Sequence, residues 1–247
     1  MAERYDRLSA LISRFDLRVV RVPLGEGNMA VFACADSNAP IRVEMRMRGG
    51  IPTAGPGERP LVACAIDWGG GANPLMAALP AVVSLPVHNA ETRALLDVFL
   101  VEAEARRCGS DKVLERLAEI LVIRLMRQQI EIGAAEPGVL AGLADPRLSR
   151  AVVAIHEDPG RNWSNADLAI AAGMSLSRFA DAFRAVLGET PQGYLRRWRM
   201  TLARQDMDRG ARVQTVARRY GYASSEALAR AFHRQFGVNP TDMRRAS

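Results

Sequence analysis

The sequence contains few of the residues from which metal sites are built. Its 247 residues include three histidines and three cysteines. The histidines His88, His156 and His233 are too far apart for the cluster of two or three imidazoles that a catalytic metal requires. No nucleophile paired with a base is visible either. The sequence therefore predicts no metal, no cofactor and no enzyme.

The three cysteines, Cys34, Cys64 and Cys108, match neither a zinc pattern nor a disulfide framework. Each is expected to be a small, reduced, buried hydrophobic residue. The alternative is a redox-sensing regulator that uses these cysteines, although no two of them lie close together in the sequence.

Long apolar segments are also missing. No segment approaches the run of about 18 uncharged apolar residues that a membrane span needs. Residues 1–5 do not begin a signal peptide. The sequence predicts a cytoplasmic protein without a membrane-spanning helix.

Lysine is nearly absent, since Lys112 is the one lysine among 33 basic residues. The formal charge of +6 is unevenly distributed along the chain. Residues 145–247 hold 17 arginines and 10 acidic residues, whereas residues 1–144 hold 16 basic and 17 acidic residues. A surface that binds a polyanion is therefore expected in the C-terminal part.

Residues 163–245 contain the same small helical unit twice. Each copy has an alanine at a predicted helix crossing, a turn glycine, apolar residues at helical spacing and an exit proline. The matching residues are Ala169, Gly173, Phe179, Phe183, Leu187, Gly188 and Pro191, then Ala217, Gly221, Leu228, Phe232, Phe236, Gly237 and Pro240. The turn glycines are 48 positions apart and the later residues 49, so one residue is inserted after the second turn. The pattern predicts two helix-turn-helix units.

A linking helix from Pro191 to Arg209 is predicted between the two units. Thr190 is expected to cap it, Pro191 takes its first position, and Gly210 follows its end. Nineteen helical residues rise about 28 Å, close to the roughly 34 Å of one DNA turn. This helix is expected to bury Tyr194, Leu195, Trp198 and Leu202 and to expose Arg196, Arg197, Arg199 and Arg204. The aromatic residues predicted for the core are Trp163, Phe179, Phe183, Trp198, Phe232 and Phe236.

Two segments carry a family resemblance: WSNADLAIAAGMSLSRFADAFRAVLGETPQGYLRRWRM and VQTVARRYGYASSEALARAFHRQFGVNPTDMRR. They resemble the DNA-binding domain of AraC family transcription regulators, in which two such units are joined by one helix. The resemblance covers about 100 residues and includes both closing glycine and proline elements. It implies binding to double-stranded DNA and, by the family default, an activator that contacts RNA polymerase.

The resemblance also implies site residues. The base-reading positions of the family, carried over one by one, fall on Ser177, Ala180, Asp181, Ser225, Glu226, Ala227 and Arg230. The first three offer bases only a serine and an acid, so strong readout is expected from the second unit, with Arg230 pairing to a guanine. Phosphate contacts are expected from Arg178, Arg184, Arg196, Arg197, His233 and Arg234.

Residues 1–90 are predicted to form strands. Alternating or short apolar runs occur at Leu17–Val22, Asn28–Ala35, Ile41–Arg48 and Leu61–Trp68. They predict a small antiparallel sheet or incomplete barrel, with one solvated face on the third strand. With the segment IDWGGGANPLMAALPAVVSL, this region is similar to the cupin-type sensor domain of one branch of the AraC family. Its sheet is expected to be short of strands.

Weak effector candidates lie in this sheet. Arg42 and Arg46 are expected on one strand face, where they could hold an anionic effector, and Trp68 could line a pocket. The alternative readings are a solvated face that keeps the sheet soluble and a core aromatic beside a turn.

Two amphipathic helices are predicted at residues 91–107 and 111–132. Their apolar arc is wider than packing on one small sheet requires, which favours a homodimer through these helices. The alternative is that both helices only cover the local core. Residues 133–144 are rich in glycine and are predicted to be a linker.

The predicted fold class is α+β. Its parts are a shortened cupin-like sheet at 1–90, a helical dimerisation segment at 91–132, a linker at 133–144, and an all-α domain with two helix-turn-helix units at 145–247. The predicted function is that of a sequence-specific, effector-responsive transcription regulator. The alternative is a co-regulator that binds a full-length relative.

Overall fold

The structure is a computed structural model that describes residues 8–15, 17–68, 73, 76, 79–105, 107–133 and 137–240. The chain divides into two compact units. One comprises Phe15–Glu136, and the other comprises Met1–Arg14 together with Pro137–Ser247. Below, residues Phe15–Glu136 are called the sheet unit, and the other part of the chain is called the helical unit.

The sheet unit contains an antiparallel sheet, which in the described residues has five strands in the order β1-β4-β2-β3-β5. The strands are β1 (Leu17–Val22), β2 (Met29–Cys34), β3 (Pro40–Arg46), β4 (Glu58–Trp68) and β5 (Val82–Pro86). Strand β2 lies between β4 and β3 and is buried over most of its length. The predicted antiparallel sheet is confirmed.

One strand is longer than its sequence predicted, and one was not predicted. β4 begins at Glu58 and so runs through Pro60, whose position opposite Phe32 coincides with a shift of register in β2. A proline cannot donate to the ladder, and such an irregularity is where a sheet accepts one. β5 was not predicted, because its five residues are bounded by prolines and give too short a pattern.

Two helices cover this sheet. They are α2 (Ala90–Ala105) and α3 (Ser110–Glu131), close to the predicted bounds. α2 buries Leu96 and Phe99, and α3 buries Leu114, Leu121 and Leu125. α3 contacts β1 and β5, so it packs across both edges of the sheet. Within the described residues, no helix is both long and apolar enough to cross a membrane.

The helical unit begins earlier than its sequence pattern indicated. Its helices in the C-terminal part are α4 (Val139–Ala144), α5 (Leu148–Glu157), α6 (Asn165–Ala172), α7 (Leu176–Leu187), α8 (Pro191–Asp208), α9 (Val213–Arg219) and α10 (Ser225–Phe236). The second half of the predicted linker is therefore helical. α4 buries Leu140 and Leu143 and packs on α5 and α7, and such burial stabilises a helix that local sequence does not announce.

A short N-terminal helix, α1 (Ser9–Ile12), also belongs to the helical unit. It packs on α5, and Leu8 and Leu11 are buried there. The sequence pattern placed residues 1–90 in one sensor region, whereas the structure groups residues 8–14 with the C-terminal helices. Only long-range packing makes this assignment, so no local pattern predicted it.

Candidate nucleic-acid interface

The first helix-turn-helix unit consists of α6 and α7. Ser164 and Asp167 form the predicted capping box at the start of α6, with the Ser164 hydroxyl accepting from the Asp167 amide at 3.1 Å. Gly173 makes the turn with φ +64°, a left-handed conformation that glycine adopts without steric cost. In α7, Phe179 and Phe183 are fully buried, so the opposite side of this helix faces solvent.

The second unit repeats this arrangement with α9 and α10. Gly221 takes the turn with φ +71°, and the Ser224 hydroxyl caps α10 by accepting from the Ala227 amide at 3.2 Å. The turn glycines are 48 positions apart, while Leu176 and Ser225, which begin the second helices, are 49 apart. The one-residue insertion after the second turn is confirmed.

The linking helix α8 joins the two units. Thr190 caps it through the Gly193 amide, and Pro191 takes its first turn, as predicted. Its 18 residues rise about 27 Å. Tyr194 and Trp198 are buried on the side of α8 that faces the first helix-turn-helix unit.

The second unit is held to the C-terminal half of α8 through Asp206. One carboxylate oxygen of Asp206 accepts a hydrogen bond from the Tyr220 hydroxyl at 2.7 Å and pairs with Arg219 at 2.7 Å. Tyr220 is buried, so this bond satisfies a hydroxyl that water does not reach.

His156 lies at the centre of the core between α5 and α8. It is fully buried, and its Nε2 is 2.6 Å from the Tyr194 hydroxyl. Its ring lies 4.7 Å from that of Trp198. Burial, with smaller contributions from Arg197 and Arg14, lowers the pKa of His156 to about 3. His156 is therefore a neutral structural residue and does not contact phosphate.

This depressed pKa predicts a pH dependence of stability. The unfolded histidine takes up a proton below its ordinary pKa of 6.5, whereas the folded one does so only near its pKa of about 3. Stability is therefore lost as pH falls below 6.5, by about 1.5 kcal/mol between pH 6.5 and 5. We expect His156→Gln, which keeps a polar group but does not titrate, to flatten this dependence. Urea titrations followed by hydrogen exchange of the α8 amides measure the difference, and an equal slope in both proteins would contradict the assignment.

The outward face of α7 carries the three residues predicted to read bases in the first unit. Ser177 and Asp181 are exposed, and Ala180 is half-buried at the edge of the same face. Asp181 is an acceptor that repels phosphate, so this face offers limited base chemistry. The apolar Leu176 is also 53% exposed at the start of the helix and adds a surface that can contact a thymine methyl group.

The outward face of α10 has more polar chemistry. Glu226 and Arg230 are exposed, while Ser225 and Ala227 are half-buried. Hydrogen bonds from Ser224 and from the Glu226 backbone amide, with a smaller effect of Arg230, lower the pKa of the Glu226 carboxyl. Glu226 is therefore ionised at neutral pH and lies one helical turn before Arg230.

The predicted phosphate-binding residues fall into two groups. Arg178, Arg184, Arg196, Arg234 and His233 are exposed, and none of them has an ion pair with another described residue. Arg197, in contrast, pairs with Glu189 at 2.5 Å and lies over the Tyr194 ring at 5.1 Å. Its guanidinium is already engaged within the protein.

Arg199 does not belong to the exposed face of α8 on which the sequence placed it. Its guanidinium is half-buried and donates to the carbonyl oxygens of Pro159 at 2.6 Å and Arg161 at 2.8 Å. The helical period predicted the exposed side of α8, but it did not predict the loop that covers this residue.

Arg150 is a functional candidate that the sequence pattern missed. It is exposed on α5, and its guanidinium lies beside the turn at Gly173, 3.8 Å from where a Cβ of that glycine would be. It forms no ion pair with the rest of the described chain. Arg150 precedes the duplicated motif, so no repeat marks it.

The weak effector candidates in the sheet lie in a network of ion pairs. Arg42 pairs with Glu58 and Glu44, each at 2.6 Å, and its guanidinium lies 4.1 Å from the centre of the Phe32 ring. Arg46 also pairs with Glu44, which is 7% exposed. The predicted solvated face of β3 is thus a half-buried network of ion pairs.

Trp68 is likewise committed to the core. It is buried, and its indole Nε1 donates to the carbonyl oxygen of Phe15 at 2.9 Å. The alternative reading of a core aromatic is the one that the structure supports. The neighbouring residues 69–72 lie outside the described residues.

The cysteines differ from one another in their environments. Cys64 is buried, and burial raises its pKa to about 11. Cys34 is half-buried and Cys108 is exposed, so the expectation of three buried residues holds for Cys64 only. Hydrogen bonds from Ser37 lower the pKa of Cys34. In the described part of the chain, no group of three or more potential metal ligands comes together.

Comparison with known proteins finds one family that matches most of the sheet unit and one that matches most of the C-terminal part of the helical unit. A family described as helix-turn-helix domain matches residues 168–246, and a family described as cupin matches residues 8–131. A protein of Streptomyces lividans named as an AraC-like transcription regulator is 36% identical over 207 residues, which are 81% of this chain and 68% of that protein. This chain belongs to the AraC family of transcription regulators.

Other relatives are similar over shorter shares of their length. An AraC-like regulator of Streptomyces antibioticus is 38% identical over 68% of this chain and 57% of its own. The transcriptional activator RclR of Escherichia coli, named as specific for RCS, is 32% identical over 58% of this chain and 51% of its own. This AraC family chain thus spans between half and two thirds of the length of these relatives.

A solved structure is also similar to part of this chain. The DNA-binding domain of AdpA, in complex with a target DNA, is 30% identical and aligns with 41% of this chain and 92% of its own, with a TM-score of 0.38. As a member of a family of transcription regulators, this AraC-type protein is not an enzyme.

Proposed function

We propose that this protein is a sequence-specific DNA-binding regulator that reads a two-part site with α7 and α10. One observation carries the proposal. The two helices each present an exposed, mostly polar face, and the linking helix α8 joins their units across about one DNA turn. A single such helix reads a short sequence, whereas two on one scaffold read a longer, asymmetric site.

Arginines that have no ion pair within the described residues supply the part of the binding energy that does not depend on the DNA sequence. Arg178 and Arg184 flank the exposed face of α7, Arg234 lies at the end of α10, and Arg196 lies on α8. In this proposal they contact phosphates and fix the register of both helices. Base discrimination comes from Ser177 and Asp181 in the first unit and from Glu226 and Arg230 in the second.

Salt dependence of DNA binding tests the electrostatic part. Each lost phosphate contact lowers the slope of log K against log salt by about 0.9. A variant with alanine at Arg178, Arg184, Arg196 and Arg234 should therefore lose about three to four units of slope on a random duplex. A variant with alanine at Arg93, Arg107, Arg116 and Arg127, which are exposed arginines of the sheet unit, removes the same charge and should keep the slope. Equal slopes in the two variants would overturn the proposed surface.

The proposal extends to regulation. In it, the sheet unit (predicted as residues 1–90 with 91–132) senses a small-molecule effector, and the protein activates transcription by contacting RNA polymerase. The activator name of the relative from Escherichia coli supports this direction. A reporter gene placed behind a selected site measures it, with a rise in transcription expected and a fall pointing to a repressor.

Dimerisation through α2 and α3 is the remaining part of the proposal. Val98 and Val101 of α2 are each more than half exposed, and Ile120 of α3 is 44% exposed. Pairing these apolar side chains with a second copy would remove them from water.

A double variant, Val101→Asp with Ile120→Asp, tests the dimer. Light scattering is expected to give twice 26.9 kDa for the parent protein and the monomer mass for the variant. Ile170→Asp is the matched control, because Ile170 is 77% exposed in the helical unit and its change should leave the mass unaltered. A monomeric parent protein would rule the dimer out.

A further inference from the structure

The second helix-turn-helix unit touches the loop that precedes the first one, beside the linking helix. The loop between α5 and α6 meets the turn between α9 and α10. A Cβ on Gly160 would lie 2.3 Å from the carbonyl oxygen of Arg219, and one on Gly221 would lie 2.5 Å from the carbonyl oxygen of Gly160. Both distances are shorter than a Cβ atom can tolerate. The backbone at Gly160 therefore packs directly on the turn at Gly221, with no room for a side chain at either residue.

Gly160 and Gly221 exclude a side chain for different reasons. Gly221 combines a left-handed φ of +71° with this approach, so both effects exclude a side chain there. Gly160 has no left-handed φ, so its φ does not by itself require glycine. Only the neighbouring unit excludes a Cβ at Gly160.

Arg199 closes this contact from α8. Its Nε donates to the carbonyl oxygen of Pro159 at 2.6 Å and its Nη2 to that of Arg161 at 2.8 Å, one residue on each side of Gly160. The same Nη2 lies 3.3 Å from the Cβ position of Gly221. One guanidinium therefore holds the loop before α6 and packs against the turn of the second unit. The loop is also tied to α8, because the Gln192 side-chain amide donates to the carbonyl oxygen of Trp163 at 2.8 Å.

A rigid linking helix does not by itself orient the second unit. α8 ends at Asp208, four residues lead from it into α9, and both α9 and α10 pack on α8. The bonds from Asp206 to Tyr220 and Arg219 hold one point of α9. The contact at Gly160, Gly221 and Arg199 adds a point at which the second unit is held to the loop before α6, which the packing on α8 and the bonds of Asp206 do not supply.

We propose that Arg199 is a positioning residue that sets the register of α10 relative to α7, and so the spacing between the two halves of the DNA site. The inference rests on the proposed function, since it assumes that both helices read DNA. Arg199 contacts no base in this account. It acts by holding Gly160 against Gly221.

Spacing tolerance on DNA tests the proposal. One base pair added between the two halves of a selected site moves them by about 3.4 Å and turns them by about 35°. The parent protein is expected to bind the lengthened site about 30-fold more weakly than the original, and Arg199→Ala to show a penalty of about threefold, since a freed second unit follows its half-site. Arg199→Lys, which keeps one donor, should recover part of the penalty. Arg196→Ala, the exposed neighbour on α8, should weaken both sites equally and keep the full penalty.

A measurement without DNA separates this inference from the proposed function. Amide hydrogen exchange of the full chain is expected to rise about tenfold in α9 and α10 of Arg199→Ala and to stay unchanged in α6 and α7. Gly160→Ala, which forces the contact apart while leaving Arg199 in place, should give the same pattern. If the parent protein shows no two-part site while this exchange pattern holds, the proposed function fails and the contact between the units stands. A full spacing penalty in Arg199→Ala, or equal loss of protection in both units of both variants, overturns the positioning role.

Discussion

Replacing Arg230 by alanine is expected to weaken binding to a selected site by about 5- to 150-fold, which corresponds to about 1 to 3 kcal/mol. Arg230 is exposed on the outward face of α10, and no other described residue forms an ion pair with it. Its planar guanidinium matches the two acceptors of a guanine in the major groove. The loss should therefore be confined to one base position, at which the variant accepts all four bases.

Arg234→Ala is the matched control for this experiment. Arg234 lies four residues later on the same helix, is exposed, and carries the same charge. As a phosphate contact it should weaken all sequences to a similar degree and lower the salt slope by about 0.9. If Arg230→Ala also weakens all sequences equally and keeps its preference at each position, Arg230 is a phosphate contact and not a base reader.

Phe183→Ala is expected to destabilise the helical unit by about 3 to 5 kcal/mol. Phe183 is fully buried, with ring centres 5.4 Å from Phe179 and 5.8 Å from Tyr194. Its removal leaves a cavity at the point where α7 packs on α8. Because typical domains are stable by only about 5 to 15 kcal/mol, this loss should abolish DNA binding at moderate temperature.

Leu176→Ala on the same helix provides the contrast. Leu176 is 53% exposed, so its truncation should cost less than about 0.5 kcal/mol. Urea unfolding monitored by hydrogen exchange of the α7 amides measures both variants. A small effect of Phe183→Ala, or equal effects of the two substitutions, would contradict the predicted division of α7 into a packed face and a free face.

The two helix-turn-helix units could be predicted because their constraints are local. A turn glycine, a capping box and buried residues at helical spacing are each visible in a few consecutive positions. Because the unit occurs twice, a role inferred for a residue in one copy could be checked at the matching position of the other copy. Gly173 and Gly221, Phe183 and Phe232, and the one-residue insertion all have the roles in the structure that the repeat predicted.

The roles of individual arginines were less predictable. Arg197 and Arg199 lie on the side of α8 that its helical period assigns to solvent. Their partners come from elsewhere in the chain: Glu189 for Arg197, and the carbonyl oxygens of Pro159 and Arg161 for Arg199. A charge pattern predicts where a basic surface lies. It does not predict which of its arginines form ion pairs or hydrogen bonds with residues from other segments of the chain.

The sheet unit shows the same limit. In β3 the charged residues Arg42, Glu44 and Arg46 alternate with apolar residues. This alternation correctly predicts a strand, but it does not predict what the charged side chains contact. Glu58 enters from β4, 16 positions from Arg42, and turns the polar side into an ion-pair network. The placement of α1 on α5 depends on still more distant packing, between residues 8–14 and residues 148–157.

Selection of binding sites from a random DNA pool by the purified full chain tests the central claim most directly. Two recognition helices joined by a linking helix about 27 Å long, close to the roughly 34 Å of one DNA turn, predict a site with two sequence blocks whose centres lie about 10 base pairs apart. The block read by α10 should be the more sharply defined, because Arg230 and Glu226 offer more base chemistry than Ser177 and Asp181. A single short block, or a pool without enrichment, would contradict the two-reader account.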